Sequence, residues 1–174
     1  MAPVMHWLKG CVLGHAILKG RSAVSSVWQP AVGASWQIIL SGSLEIKAIS
    51  PSISPNVGIF DIDLFTNTKN GTDGSVIDAL HSANKRVICY FSAGSFEPDR
   101  PDSGNFTEVD KGNYLEKWRE EQWLDLNSPN VRKIMASRIQ LAAKLGCDAV
   151  DPDNVDGQLL LHLLFSPHLL IYRV

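Results

Sequence analysis

Several features that would point directly to a function are rare or missing in this chain of 174 residues. Its three cysteines form no CxxC pair, and no histidine lies at zinc-finger spacing from them, which argues against a structural zinc site. Neither the glycine pattern of dinucleotide-binding folds nor that of P-loops occurs. With 16 basic and 18 acidic side chains, the net charge of −2 gives no reason to expect nucleic acid or an anionic membrane as a partner.

Long apolar runs are also missing. The leucine-rich stretch 158–174 is too short to span a bilayer and contains Pro167 and Arg173. The apolar stretch 11–18 is interrupted by Gly14 and is at best a poor signal peptide. We therefore expect no membrane partner, and the evidence for a leader peptide is weak.

The acidic residues are unevenly distributed. Seventeen of the 18 lie between Asp61 and Asp156, and Glu45 is the exception. Hydrophobic residues make up 45% and charged residues 20% of the chain, close to the average of soluble domains. The composition therefore predicts a globular domain that does not fill the chain evenly.

Two cysteines lie in or beside strand-like segments. Cys89 lies inside one and Cys147 just before another, so we expect buried thiols that pack as small hydrophobic side chains. A disulfide between them is left open as the alternative. The odd number of cysteines leaves at least one thiol free.

The hydrophobic pattern alternates between strands and helices. It predicts helices over 75–85, 114–122 and 129–145, the last with Ser128 as N-cap and Pro129 in the first turn. It predicts strands over 36–40, 57–65, 86–93, 123–126 and 148–151, the last stopped by Pro152. Such alternation favours βα units around a parallel sheet. Since no phosphate-binding loop is present, a (β/α)8 barrel of the TIM type fits better than a nucleotide-binding sheet.

Carboxylates cluster where these strands end. In a barrel the carboxyl ends of the strands meet at the face that carries the active site. Glycoside hydrolysis needs one carboxylic acid and a second carboxylate, and aromatic rings near the same ends could stack on sugars. The acids are Asp61, Asp63, Asp125, Asp151, Asp153 and Asp156, and the rings are Trp28, Trp36, Tyr90 and Phe91.

Structural roles for the same residues remain open. Asp61 and Asp63 could form caps or ion pairs, and Asp125 could be a loop residue. The DPDNVDG segment could be read as a calcium loop, but an EF-hand counted from Asp151 would need glycine where Asp156 stands. We therefore expect neither a metal nor a cofactor.

Five segments together resemble glycoside hydrolase family 114, the endo-α-1,4-polygalactosaminidases, which include spherulin-4-like proteins. They are WQPAVGASWQ from Trp28, FDIDLF, VICYFSAGSFEPDRPD, WLDLNSPNVRKIMASRIQLA and GCDAVDPDNVDG, in this order over about residues 28–157. The resemblance implies an extracellular (β/α)8 barrel that cleaves within galactosamine-containing polysaccharides. It implies that Asp153 is one of two catalytic carboxylates and that Asp61, Asp63, Tyr90 and Asp156 line the cleft.

The sequence departs from the family in two places. Asp151 stands where the family usually has glutamate, which matters if that carboxylate positions substrate. The family continues after Gly157 with further strands, one of which carries the second catalytic carboxylate, a glutamate; residues 158–174 match none of this.

We therefore expect a partial barrel domain over 28–157, truncated after about five βα units, between an extension (1–27) and a non-family tail (158–174). Impaired or absent activity follows from the missing glutamate. The alternatives are a non-catalytic carbohydrate-binding or structural protein, or an unstable fragment from a faulty gene model.

Overall fold

A parallel sheet forms the centre of the fold. The computed structural model describes residues 28–44 and 55–156, so the predicted extension 1–27 and tail 158–174 lie outside the described residues. Four strands pair in parallel in the order β1 (Trp36–Ile39), β2 (Ile59–Asp63), β3 (Arg86–Ser92) and β7 (Ala149–Asp153). The predicted α/β class with a parallel sheet is confirmed, whereas closure into an eight-stranded barrel stays a prediction.

One face of this sheet is buried by two helices, α1 (Ser75–Ser82) and α2 (Pro129–Leu145). Since side chains alternate along a strand, every second residue points into this layer. The opposite face carries Asp61, Asp63, Tyr90, Asp151 and Asp153. The core on the helix side includes Phe60, Ile62, Leu64, Ile77, Leu80, Val87, Cys89, Phe91 and Ala142.

The second helix begins and ends as the sequence predicts. The Ser128 hydroxyl accepts hydrogen bonds from the backbone N–H groups of Asn130 and Val131, at 3.2 and 3.4 Å. Pro129 occupies the first turn, where its missing N–H leaves no hydrogen bond unmade. Gly146 ends the helix with φ at 93°, a left-handed conformation that glycine adopts without strain.

The predicted helix over 114–122 is wrong. The chain forms a hairpin of β5 (Lys111–Tyr114) and β6 (Gln122–Leu124), which joins β4 (Ser95–Phe96) in an antiparallel sheet of order β4-β6-β5. Residues 116–121 (EKWREE) offer no apolar stripe that a helix could bury. The predicted fourth strand (123–126) is thus β6, outside the parallel sheet, so the described parallel sheet has four strands instead of five.

The predicted end of the last strand at Pro152 is also wrong. Strand β7 continues through Pro152 to Asp153, and Pro152 pairs with Phe91 of β3. In the described sheet β7 has β3 as its one neighbour, and a proline is tolerated in a strand at a sheet edge because no hydrogen-bond donor is needed on the open side.

The expectation of free thiols at Cys89 and Cys147 is wrong. The two residues form a disulfide, with their Cα atoms 6.0 Å apart. Cys89 lies on the helix side of β3, and Cys147 directly follows the end of α2 at Gly146. The bridge therefore ties the central strand to the segment that leads into β7. No helix within residues 28–44 and 55–156 is long and apolar enough to cross a membrane.

Candidate active site

Four aspartates and a tyrosine lie on the sheet face opposite the helices, towards the carboxyl ends of the strands. In the strand register, Asp63 of β2, Tyr90 of β3 and Asp151 of β7 lie side by side, and Asp153 lies beside Ser92. The Tyr90 hydroxyl donates a hydrogen bond to Oδ2 of Asp153 at 2.9 Å. We call Asp61, Tyr90, Asp151 and Asp153 the acid cluster.

Asp61 is the most deeply buried member of the acid cluster. Asp61 is 4% exposed, and its Oδ1 has no hydrogen-bond partner within the described part of the chain. Burial, followed by the negative charge of Asp151, a hydrogen bond with Asp151 and the charge of Asp153, raises the pKa of Asp61 to about 8. At neutral pH Asp61 therefore carries a proton that it can donate to Asp151.

Asp151 is affected by the same contact. Burial raises its pKa, the hydrogen bond from Asp61 opposes this change, and the charge of Asp153 adds to it. The two carboxyl groups together hold one proton more readily than two isolated aspartates would. Burial and the nearby carboxylate of Asp153 also raise the pKa of Tyr90, so its phenol stays a donor to Asp153.

The carboxylate of Asp63 is occupied by an ion pair. Both of its oxygens accept hydrogen bonds from the guanidinium of Arg100, at 3.0 and 2.7 Å, and Oδ1 also accepts one from the Thr66 N–H at 2.8 Å. Asp63 is 1% exposed. Asp63 therefore connects β2 to the loop after β3 through Arg100. The ion pair that was left open as an alternative role for Asp63 is thus present.

The long loop after β3 is held in place by two arginines, the buried Arg138 and the partly buried Arg100. Arg138 of α2, 1% exposed, donates from Nε and Nη2 to the two oxygens of Asp102, both at 2.8 Å. Its Nη1 donates to the Ser92 carbonyl at 2.7 Å, at the end of β3. Together with the pair of Arg100 and Asp63, this clamp holds the loop against the carboxyl end of the sheet.

The segments SAGS and PDN interlock beside the acid cluster. The N–H groups of Ala93 and Gly94 donate to the Asp153 carbonyl, at 2.9 and 3.1 Å. Gly94 packs so closely against Asn154 that a Cβ atom there would overlap the Asn154 carbonyl. Asn154 adopts a left-handed conformation, φ 63°, and its Nδ2 donates to the Ser92 hydroxyl at 3.0 Å. These contacts fix the backbone that carries Asp153.

Of the remaining predicted site residues, two are exposed to solvent and two lie away from the acid cluster. Trp36 is 59% exposed, on the same side of the sheet as Asp61, and Asp156 is exposed near the end of the described chain. Phe91 cannot stack on a sugar, because it is 1% exposed in the core on the helix side. Trp28 lies against Arg86, 5.8 Å from the guanidinium carbon to the ring centroid, at the opposite end of β3 from Asp153. The predictions of stacking by Phe91 and Trp28 are therefore wrong.

Two glutamates near the acid cluster were missed by the sequence analysis. Glu121 accepts a hydrogen bond from the Ser95 hydroxyl at 2.5 Å, and Glu97 binds Arg100. Burial raises the pKa of Glu97, and the charges of Glu97 and Glu121 both act on Tyr90. Glu97 lies in the SFEPDR segment that carries the family resemblance, so the sequence offered a signal for it. Glu121 was placed in the wrongly predicted helix 114–122, which gave no reason to expect it near the acid cluster.

The resulting surface is strongly acidic and pre-ordered. It combines an exposed carboxylate with a phenol donor and with two further carboxyl groups, Asp61 and Asp151, whose pKa values are raised by burial. Within the described ranges, no three His, Cys, Asp or Glu side chains are arranged to hold a metal ion. Such a surface can bind a cation and can supply carboxyl groups in both protonation states.

The chain is similar to known proteins in sequence and in fold. The sequence matches glycoside-hydrolase family GH114 over residues 18–161. Among solved structures, the chain is similar to Aspergillus fumigatus Ega3, crystallised in complex with galactosamine, with 46% identity and a TM-score of 0.68 over 78% of this chain and 50% of that chain. The glycoside hydrolase domain of PelA from Pseudomonas aeruginosa shares the fold, with 15% identity and a TM-score of 0.54 over 71% and 46% of the two chains.

The chain spans about half the length of the solved structures that it matches. A comparison with curated proteins found no match.

Proposed function

Because the chain belongs to glycoside-hydrolase family GH114, we propose that its acid cluster binds α-1,4-linked galactosamine-containing polysaccharide, with Asp153 as one catalytic carboxylate of an endo-acting hydrolase. The observation that carries this proposal is the exposed Asp153 carboxylate, which accepts a hydrogen bond from the Tyr90 hydroxyl at 2.9 Å on the same sheet face as the buried Asp61. A glycosidase needs one carboxyl group to protonate the leaving oxygen and another to act as nucleophile or base. Asp153 is the exposed carboxylate of the cluster that is held in position by a neighbour.

The charge of the cluster supports an amino-sugar substrate. The amino group of galactosamine is a cation at neutral pH, and a surface lined by one sign of charge concentrates ligands of the opposite sign. Asp151, Asp153 and Glu121 provide negative charge around the open face, whereas the nearby cation Arg100 is already paired with Asp63 and Glu97. Ega3, which was crystallised with galactosamine, is consistent with this substrate class.

The second catalytic carboxylate is proposed to be a glutamate on a strand that the family carries after Gly157. Residues 157–174 contain no acidic side chain. We therefore propose that residues 28–156 contribute substrate binding and one of the two catalytic carboxylates. An extracellular location is proposed as well, and the disulfide between Cys89 and Cys147 supports it, since disulfides persist in oxidising compartments.

Calorimetric titration with galactosamine and with α-1,4-galactosamine oligomers tests this function. Asp153→Asn keeps the shape but removes the charge, and we expect at least about tenfold weaker binding, because hydrogen bonds to charged groups contribute about 1.5–3 kcal/mol. Asp99→Asn is the matched control, since Asp99 is exposed and its side chain makes no hydrogen bond or ion pair with residues 28–44 or 55–156. Reducing-end release measured in parallel reports hydrolysis. Equal binding by the wild type, Asp153→Asn and Asp99→Asn would refute the assignment of Asp153.

A further inference from the structure

The hairpin that replaces the predicted helix exposes two large aromatic side chains. Tyr114, at the end of β5, is 63% exposed, and Trp118, in the following turn, is 65% exposed. Leu115 between them is 6% exposed and anchors the turn to the protein. Large aromatic rings that stay exposed on one hairpin are candidates for binding a partner, since burying them elsewhere would stabilise the fold.

The turn that carries these rings is well defined. The Leu115 N–H donates to the Glu121 carbonyl at 3.0 Å, and the Glu121 N–H donates to the Trp118 carbonyl at 2.9 Å. The second bond closes a β-turn, in which the Cα atoms of Trp118 and Glu121 lie within about 7 Å of each other. The rings are therefore presented on a closed hairpin, which lowers the entropy that a ligand must remove on binding.

A chain of hydrogen bonds connects this turn to the acid cluster. Glu121 accepts from the Ser95 hydroxyl at 2.5 Å, and the hydroxyls of Ser95 and Ser92 lie 2.6 Å apart. The Ser92 hydroxyl in turn accepts from Asn154, which directly follows Asp153. The aromatic turn is thus joined to the rim of the proposed cleft through side chains that are already in contact.

The local charge fits the same ligand as the acid cluster. Residues 115–121 (LEKWREE) contain three glutamates against one lysine and one arginine. A sugar ring can lay its apolar face on an indole or phenol ring, and a cationic amino group is attracted by both the carboxylates and the aromatic faces. A neutral or anionic polysaccharide would gain less from this surface.

We propose that Tyr114 and Trp118 form a second sugar subsite, the aromatic platform, which binds galactosamine units of a chain that continues outward from the acid cluster. This inference rests on the proposed function and adds to it a preference for long oligomers. The acid cluster binds one end of the ligand and the aromatic platform binds the units beyond it, so affinity rises with oligomer length.

Titration of Trp118→Ala with galactosamine and with oligomers of increasing length tests the aromatic platform. We expect unchanged affinity for the single sugar and about tenfold weaker binding of long oligomers, as expected for the loss of one stacking ring. Trp118→Phe should retain most of the oligomer affinity, because a ring remains. Val109→Ala is the matched control, since Val109 is 86% exposed shortly before β5.

The outcomes separate this inference from the proposed function. If Asp153→Asn weakens all ligands while Trp118→Ala binds long oligomers as tightly as the wild type, the aromatic platform is refuted and the function stands. If Trp118→Ala weakens the single sugar as much as the oligomers, the ring belongs to the acid cluster and the second subsite is refuted. If the wild type binds neither ligand, both proposals fail.

Discussion

Replacing Asp61 by asparagine removes a buried titratable group while keeping its size. Asp61 is 4% exposed, and burial together with Asp151 and Asp153 raises its pKa from 3.8 to about 8. Asparagine resembles the protonated form, because it is neutral and its amide can donate to Asp151. The variant should therefore imitate the wild type at low pH and differ from it increasingly as the pH rises.

The direction and the size of this difference in unfolding free energy follow from proton linkage. Between about pH 4 and pH 8 the folded state keeps the proton on Asp61, whereas the unfolded chain has lost it. The stability present at low pH is therefore lost as the pH rises through this window, by about 1.4 kcal/mol per pH unit. From about pH 5 to about pH 7.5, Asp61→Asn should gain about 3 kcal/mol of unfolding free energy relative to the wild type.

Urea unfolding followed by tryptophan fluorescence at a series of pH values measures this difference. Asp99→Asn, which removes an exposed carboxylate, is the control for the change in net charge and should show a much smaller effect of pH. A stability difference between Asp61→Asn and the wild type that stays constant from about pH 5 to about pH 7.5 would contradict the proton shared with Asp151.

Two further changes test the contacts that support the site. Gly94→Ala should lower the unfolding free energy by about 3 kcal/mol or more and weaken sugar binding, because its Cβ would overlap the Asn154 carbonyl next to Asp153. Gly104→Ala is the control in thermal melting, since no atom lies within 4 Å of the added carbon. Equal melting temperatures of the two variants would exclude the close contact at Gly94. Cys147→Ser opens a disulfide with a sequence separation of 58 and should cost about 4 kcal/mol in denaturant unfolding. Reducing agent should bring the wild type to the stability of this variant, and an unchanged midpoint would argue against the bridge.

Locally encoded features were predictable from the sequence. The start of α2 at Ser128 and Pro129 and its end at Gly146 depend on residues within a few positions, and all three have the expected geometry. The strands β1, β2 and β3 were found because buried strands of a parallel sheet are short, apolar and bounded by turns. The hairpin β5–β6 was missed because its pairing depends on partners outside the segment, including the bond from the Leu124 N–H to the Gly94 carbonyl.

The acid cluster shows why the site was only partly predictable. Proximity in sequence placed Asp61 beside Asp63, yet the two residues have different partners: Asp63 is neutralised by Arg100, whereas Asp61 meets Asp151. The second contact requires β7 to lie next to β3, although the loop, the small sheet and α2 separate these strands in the chain. The same insertion carries Tyr114 and Trp118. The order of strands in the sheet therefore determines both which carboxyl groups are neighbours and where the aromatic platform lies. A sequence pattern could identify the acidic residues but not which of them share a proton.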